Sequence, residues 1–177
     1  IVQAYHRPKR VDPDKADARL RDARLVVQEL LETERVALRV RRRQTQGAQY
    51  DKRSEGASRE RVREGGLTFL LNLEDYLDTG LFPDQRKLRA HMARSAADKR
   101  FLNLFSYTCS ASVYAAAAGA QTTSVDLSNT YLEWGKDVFR ENQLSLAGHR
   151  FERGDARRLL ARLSPHDITF LAPPSYS

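Results

Sequence analysis

The stretch FLNLFSYTCSASVYAAAAGAQTTSVD, Phe101 to Asp126, decides the fold. Phe101, Leu102, Leu104 and Phe105 make a short apolar run suited to a strand buried on both faces, and Ser106 to Ser110 is a loop of mostly small residues. A helix is predicted to follow. Ser110 or Ser112 can cap it, Val113 to Ala118 is rich in helix formers, and Gly119 is placed to end it in the left-handed conformation. Thr122 to Val125 then reads as a second strand with Asp126 at its carboxyl end.

Strand, small loop, helix, strand and terminal acid form a unit that can hold an adenosine-bearing cofactor. The loop and first helical turn offer backbone N–H groups to an anion, and an acid ending the second strand accepts from ribose hydroxyls. The G-x-G-x-x-G that lets a pyrophosphate approach is absent, because the loop reads Ser106-Tyr107-Thr108-Cys109-Ser110. Bulky Tyr107 argues against a dinucleotide and suits a smaller anion, such as the carboxylate of S-adenosylmethionine. The alternative is an α/β crossover with no ligand.

A chain of 177 residues with 41% hydrophobic content can build one medium domain or two small ones. It begins at Ile1 and stops at Ser177 just after a strand-like run, so it reads as a piece of something longer. No apolar stretch has membrane-spanning length and no signal-peptide pattern is present. A single cysteine excludes an internal disulfide and suits a reducing, cytoplasmic setting. His6, His91, His149 and His166 share no ligand spacing, so no metal site is expected.

Charge is uneven along the chain. Residues 1–66 carry 17 basic and 11 acidic side chains, against 13 and 12 in residues 67–177. A basic region beside a cofactor unit points to a polyanion, with nucleic acid the first candidate and a solvated charged face the alternative. Val2 to Tyr5 reads as a short strand. Asp12 reads as an N-cap, with Pro13 opening a helix to about Glu32 whose apolar face is Ala16, Leu20, Ala23, Val27, Leu30 and Leu31. Arg35 to Arg41 alternates as a half-buried strand. The run Arg41, Arg42, Arg43 then enters a polar loop with Tyr50, Lys52 and Arg53. Arginines can fork onto phosphates and a tyrosine can stack on a base, so this segment is assigned to RNA contact, with a partnerless surface loop as the alternative.

Arg59 to Glu64 is a possible edge strand before Gly65-Gly66, and Leu67 to Leu73 a strand with one well-buried face. Gly80 is predicted to turn the chain, Leu81-Phe82 to plug the core, and Pro83-Asp84 to open a helix carrying Leu88, His91 and Met92 on one side. Asp84 and Arg86, at the front of that helix, stand where ligand contacts often lie. Ser128 to Asn142 reads as a helix with Thr130 and Glu133 at capping-box spacing. A third strand over His149 to Gly154 leads to Asp155, which can accept from an adenine amino group or cap the helix Ala156 to Leu163. Asp167 to Leu171 makes a fourth strand, and the Pro173-Pro174 turn after it can hold a flat base.

The segments DYLDTGLFPDQR (75–86), FLNLFSYT (101–108), SVDLSNTYLEW (124–134), GD (154–155) and PPSYS (173–177) together resemble the C-terminal half of the ribosomal RNA large subunit methyltransferase K/L family and, more distantly, RNA cytosine-C5 methyltransferases. The resemblance implies an α/β class I methyltransferase, with a Rossmann-like parallel sheet of about four strands here, preceded by a small α+β domain. The division it suggests is a basic RNA-contacting region over 1–66, a hairpin and helix over 67–98, and the first part of the methyltransferase domain over 99–177. It implies S-adenosylmethionine as cofactor, 7-methylguanosine in 23S ribosomal RNA or the pre-ribosomal large subunit as product, and a covalently linked upstream methyltransferase domain. Carried over by position, Asp84, Arg86, Asn103, Ser106, Tyr107, Thr108, Asp126, Ser128 and Asp155 lie on the cofactor side. Pro173, Pro174 and Tyr176 lie beside the target base.

Two positions depart from the family pattern, Cys109 where it has glycine and Ala172 where it has aspartate. The first adds a side chain to the tightest part of the loop, and the second removes a carboxylate from the active-site edge. A catalytically silent RNA-binding module is therefore the rival reading. No cysteine stands near the Pro-Pro turn to add to a pyrimidine, which disfavours cytosine-C5 chemistry there.

Overall fold

A computed structural model describes residues 2–5, 7–8, 10–41, 59–73 and 79–173. They fall into two compact units, one within residues 1–58 and 72–78, the other formed by 59–71 and 79–177.

In the first unit, β1 (Val2–Tyr5), α1 (Pro13–Leu30) and β2 (Leu38–Arg41) form a β-α-β unit, with the strands parallel in the register Val2 to Leu38. Asp12 caps α1 by accepting from the Lys15 N–H at 3.0 Å, and Pro13 supplies a preset φ. Ala16, Leu20, Ala23 and Val27 form the half-buried stripe. Leu30 and Leu31, expected on that face, are 75% and 68% exposed, because the helix ends there and the chain turns.

The second unit opens with the antiparallel hairpin β3 (Glu60–Glu64) and β4 (Leu67–Leu71), joined at Gly65-Gly66. Leu70 is buried as well as Phe69, so β4 has no open face; the Trp134 indole donates to the Leu70 carbonyl at 3.1 Å, and Asn142 bonds both the N–H and the carbonyl of Thr68. A 3-10 turn (Pro83–Gln85) leads into α2 (Arg86–Ala93). Its one fully buried residue is Arg89, while Leu88 is half exposed and His91 lies outside, a rotation of the expected apolar face.

Then come β5 (Arg100–Leu104), α3 (Ser110–Ala117), β6 (Gln121–Asp126), α4 (Asn129–Glu141), β7 (Arg150–Arg153), α5 (Ala156–Leu160) and β8 (Ile168–Leu171). The four strands form one parallel sheet in the order β7-β6-β5-β8. Phe101 packs with Ala111, Ala115 and Phe170 on one face, and Leu102, Leu104 and Val125 with Ala156 on the other. The apolar residues Phe101, Leu102 and Leu104 of β5 fit an inner strand covered on both faces. The chain crosses from β7 back to the far side of β5, so all four carboxyl ends converge beside a point where strand order reverses, the usual place for a ligand in such sheets.

Candidate cofactor-binding site

The turn from β5 into α3 is left-handed at alternate residues: Phe105, Tyr107 and Cys109 have φ of 57°, 50° and 60°. Each such non-glycine residue costs roughly 1 to 2 kcal/mol. The conformation is held by Ser106 N–H on the Val125 carbonyl at 2.9 Å and Cys109 N–H on the Ser106 carbonyl at 2.8 Å. Neither serine expected to cap α3 does so. Cys109 occupies the cap position without a side-chain capping bond, and Ser112 turns inward, accepting from the Asn103 amide at 2.9 Å and sharing a 2.7 Å bond with Ser124. The first-turn N–H groups are thus not taken by a side-chain cap, which suits an anion.

Asp126 closes the turn from the other side. One carboxylate oxygen accepts the Tyr107 N–H at 2.8 Å and the other the Ser128 N–H at 2.9 Å. Burial raises its pKa, opposed by these N–H donors and that of Leu127. Three N–H donors against about four lone-pair directions leave the carboxylate capacity for a ligand hydroxyl. Beside it opens a cleft of about 440 Å³, lined by Phe105, Asp126, Leu127, Asp155, Arg157 and Pro173, among others. Its size is that of a small-molecule site. Apolar walls at Phe105 and Leu127 with carboxylates at Asp126 and Asp155 match the donor-rich edges and flat face of an adenosine, so the residues present fit an adenosyl cofactor.

The sheet therefore brings Asp126, Asp155 and Pro173 into one cleft, although they lie in three different connections. Asp155 does both things the sequence allowed: it caps α5 by accepting the Arg157 N–H at 2.9 Å, and it faces the cleft. Hydrogen bonding from Arg157 holds its carboxyl below the usual range. Ser106 and Thr108 are buried in the turn, and Thr108 donates to the Gly80 carbonyl at 2.6 Å. Ser128 caps α4 through the Tyr131 N–H, so the expected capping box from Thr130 does not form; Thr130 is already inside the helix. Asn103 lies within β5, 1% exposed, and its Oδ1 has no partner among the described residues. Asp84 in the 3-10 turn and Arg86 at the start of α2 are exposed and outside the cleft lining, joined to the turn through the neighbouring Phe82, whose ring lies 5.3 Å from that of Tyr107. Pro174, Tyr176, Arg42, Arg43, Tyr50, Lys52 and Arg53 lie outside the described residues, and Arg41 closes β2.

Cys109 points away from the cleft. It is 0% exposed and faces α4, where a Cβ added to Gly135 would stand 2.5 Å from the sulfur. Burial pushes its thiol up to about 12, so it is unreactive at neutral pH. Ala172 packs against the core cluster around Phe101 and Phe170. Sequence reasoning missed the burial of Arg89 and, although it places Gly135 on the inward face of α4, the space that glycine leaves for Cys109, because neither role carries a local signal.

Fold and site together define the class, an α/β domain of the class I methyltransferase type with a candidate cleft at the carboxyl edge of a parallel sheet. The profile of S-adenosylmethionine-dependent methyltransferases matches residues 21–177, and the chain belongs to that family. It is 48% identical over 99% of its length to a ribosomal RNA large subunit methyltransferase K/L of Ectopseudomonas mendocina and 47% identical over 99% to that of Pseudomonas fluorescens, covering 25% and 24% of those proteins. The chain thus spans about a quarter of the length of these relatives. Among solved structures, SMU.776, assigned as a methyltransferase and crystallised with SAH, superposes with a TM-score of 0.72 at 30% identity over 90% of this chain and 43% of the other. The resemblance seen in the sequence motifs is borne out.

Proposed function

We propose that this chain is the cofactor-binding part of a methyltransferase that modifies guanine N7 in 23S ribosomal RNA, in the cytoplasm and linked to a second methyltransferase domain upstream. The observation that carries the reading is the Asp126 carboxylate, pinned by the Tyr107 and Ser128 N–H groups at the mouth of the 440 Å³ cleft. S-adenosylmethionine, when bound, supplies an electrophilic methyl group on sulfur. Asp126 accepts from the ribose hydroxyls, Asp155 from the adenine amino group, and the first turn of α3 faces the methionine carboxylate, with Asp84 and Arg86 on the same side. Ser106 and Thr108 hold the turn, and Asn103 supports it from β5. Guanine N7 presents a lone pair without prior deprotonation, so the chain's task is alignment rather than proton transfer. Pro173, Pro174 and Tyr176 hold the unstacked guanine at the sheet edge. Arg41, Arg42, Arg43, Tyr50, Lys52 and Arg53, in the basic region 1–66, grip flanking phosphates and bases. The inward-facing Cys109 leaves the cleft unobstructed, which supports the enzyme over the silent module.

The test is uptake of labelled methyl groups into unmodified large-subunit ribosomal RNA by the protein at its natural length, with strand scission after reduction and aniline reporting N7 methylation. Asp126→Ala removes hydrogen bonds of a charged acceptor, each worth about 1.5 to 3 kcal/mol, so cofactor affinity falls by two orders of magnitude or more. Retained affinity in that variant overturns the assignment.

A further inference from the structure

Arg89 is fully buried on α2, in a region the cofactor cleft does not include. A buried guanidinium costs several kcal/mol to desolvate, and packing alone would be met by leucine or methionine. Its donors run in two directions. Nε and Nη2 donate to Glu64 Oε1 at 3.2 and 2.5 Å, and Tyr114 on α3 donates to the same oxygen at 3.2 Å. Nη1 points the other way and donates to the Phe82 carbonyl at 2.9 Å. Two residues earlier, the Gly80 carbonyl is held by Thr108 of the cofactor turn. The segment between these anchors is therefore fixed at both ends, and it carries the Phe82 ring against Tyr107, whose N–H binds Asp126.

Resting on the cofactor reading above, we infer that Arg89 is a positioning residue for cofactor binding. Glu64 fixes its guanidinium, which fixes the Phe82 carbonyl, which seats the Phe82 ring on the left-handed turn and sets Asp84 and Arg86 beside it. The pair does not touch the cofactor. It determines where the segment that flanks the turn begins.

The experiment separates positioning from simple structural pairing. Arg89→Met alone leaves Glu64 buried and uncompensated, which destabilises any fold. The informative variant is Arg89→Met with Glu64→Gln, in which no buried charge is stranded but the donor to the Phe82 carbonyl is gone. It is made in the protein at its natural length, beside Phe82→Leu and the wild type. Each is measured by thermal unfolding, by calorimetry with S-adenosylhomocysteine, and by KM and kcat for S-adenosylmethionine. The expected result is near-wild-type melting of the double variant with homologue affinity weakened about tenfold, KM rising more than kcat falls, and the same direction for Phe82→Leu. Wild-type affinity in a folded double variant overturns the inference while leaving the cofactor reading intact. If the double variant does not fold, Phe82→Leu decides, and unchanged affinity there overturns the inference. A wild type that takes up no homologue fails the cofactor reading itself, and this inference with it.

Discussion

Gly135→Ala puts the packing behind the cofactor turn to a quantitative test. In a helix interior this change ordinarily stabilises by about 0.8 to 1.0 kcal/mol. Here the new methyl would meet Cys109 Sγ at 2.5 Å, Cys109 Cβ at 2.8 Å and the Thr108 carbonyl at 3.3 Å. Cys109 cannot retreat, because its φ of 60° is fixed by the turn and its side chain is 0% exposed. Overpacking of this kind costs about 1 to 3 kcal/mol, enough to reverse the sign. For a 2 kcal/mol net loss the melting temperature should fall by roughly 4 to 8 °C in a domain of this size. Cofactor affinity should fall with it, since the clash displaces the turn. Cys109→Gly alone should be nearly neutral, because relief of about 1 to 2 kcal/mol of left-handed strain offsets a similar loss of buried methylene and sulfur. Together, the two changes should restore stability to wild type or above, a coupling of about 1 to 3 kcal/mol in a double-mutant cycle followed by denaturant unfolding. Additive effects, or a Gly135→Ala protein as stable as wild type, would refute the packing argument.

Further outcomes follow from other parts of the structure. Burial lowers the pKa of His149, whose Nδ1 lies 2.9 Å from the Thr122 hydroxyl and accepts its N–H, and burial likewise lowers that of His166. Both favour the neutral ring in the fold, so their contribution is present above the ordinary value of 6.5 and is lost as pH falls from there through the depressed folded values. Urea unfolding between pH 8 and 5 should show this loss, and His149→Gln should flatten it. Gly80→Ala combines a φ of 103° with a methyl 2.5 Å from the Trp134 ring and 2.9 Å from the Leu70 carbonyl. It should destabilise by about 2 to 4 kcal/mol in denaturant titrations, through strain and overpacking together. Replacing Arg41, Arg42 and Arg43 by glutamine should weaken RNA binding at low salt and flatten its log–log salt dependence by about 0.7 for each phosphate that is no longer neutralised, measured by filter binding.

What can be read from the sequence is what one local signal carries. Short apolar runs mark β5 and β8, whereas β6 (QTTSVD) and β7 (RFER) are polar in composition; Asp126 and Asp155 stand out as acids at strand ends, where the sheet brings them to one cleft with Pro173. The cap of α3 is not legible in this way. Ser110 and Ser112 offer good capping chemistry, yet Ser112 is drawn inward by Asn103 and Ser124, residues on two different strands. Nor is the burial of Arg89, because an isolated arginine usually lies on a surface; its partner Glu64 is 25 positions away in a hairpin with no sequence link to α2.

The missing glycines of the turn have the same kind of explanation. Their absence argues against close approach of a pyrophosphate, yet the backbone is left-handed at Phe105, Tyr107 and Cys109 without them. A turn so strained persists only if its surroundings over-determine it. Those surroundings are the Asp126 carboxylate on the Tyr107 N–H, the Val125 carbonyl on the Ser106 N–H, and Gly135 on α4 leaving space for the cysteine. The glycine that lets the turn close thus sits on the neighbouring helix rather than in the loop. A search for cofactor turns by glycine spacing alone would pass over this one, while a search for left-handed residues bonded to a strand-end carboxylate would find it.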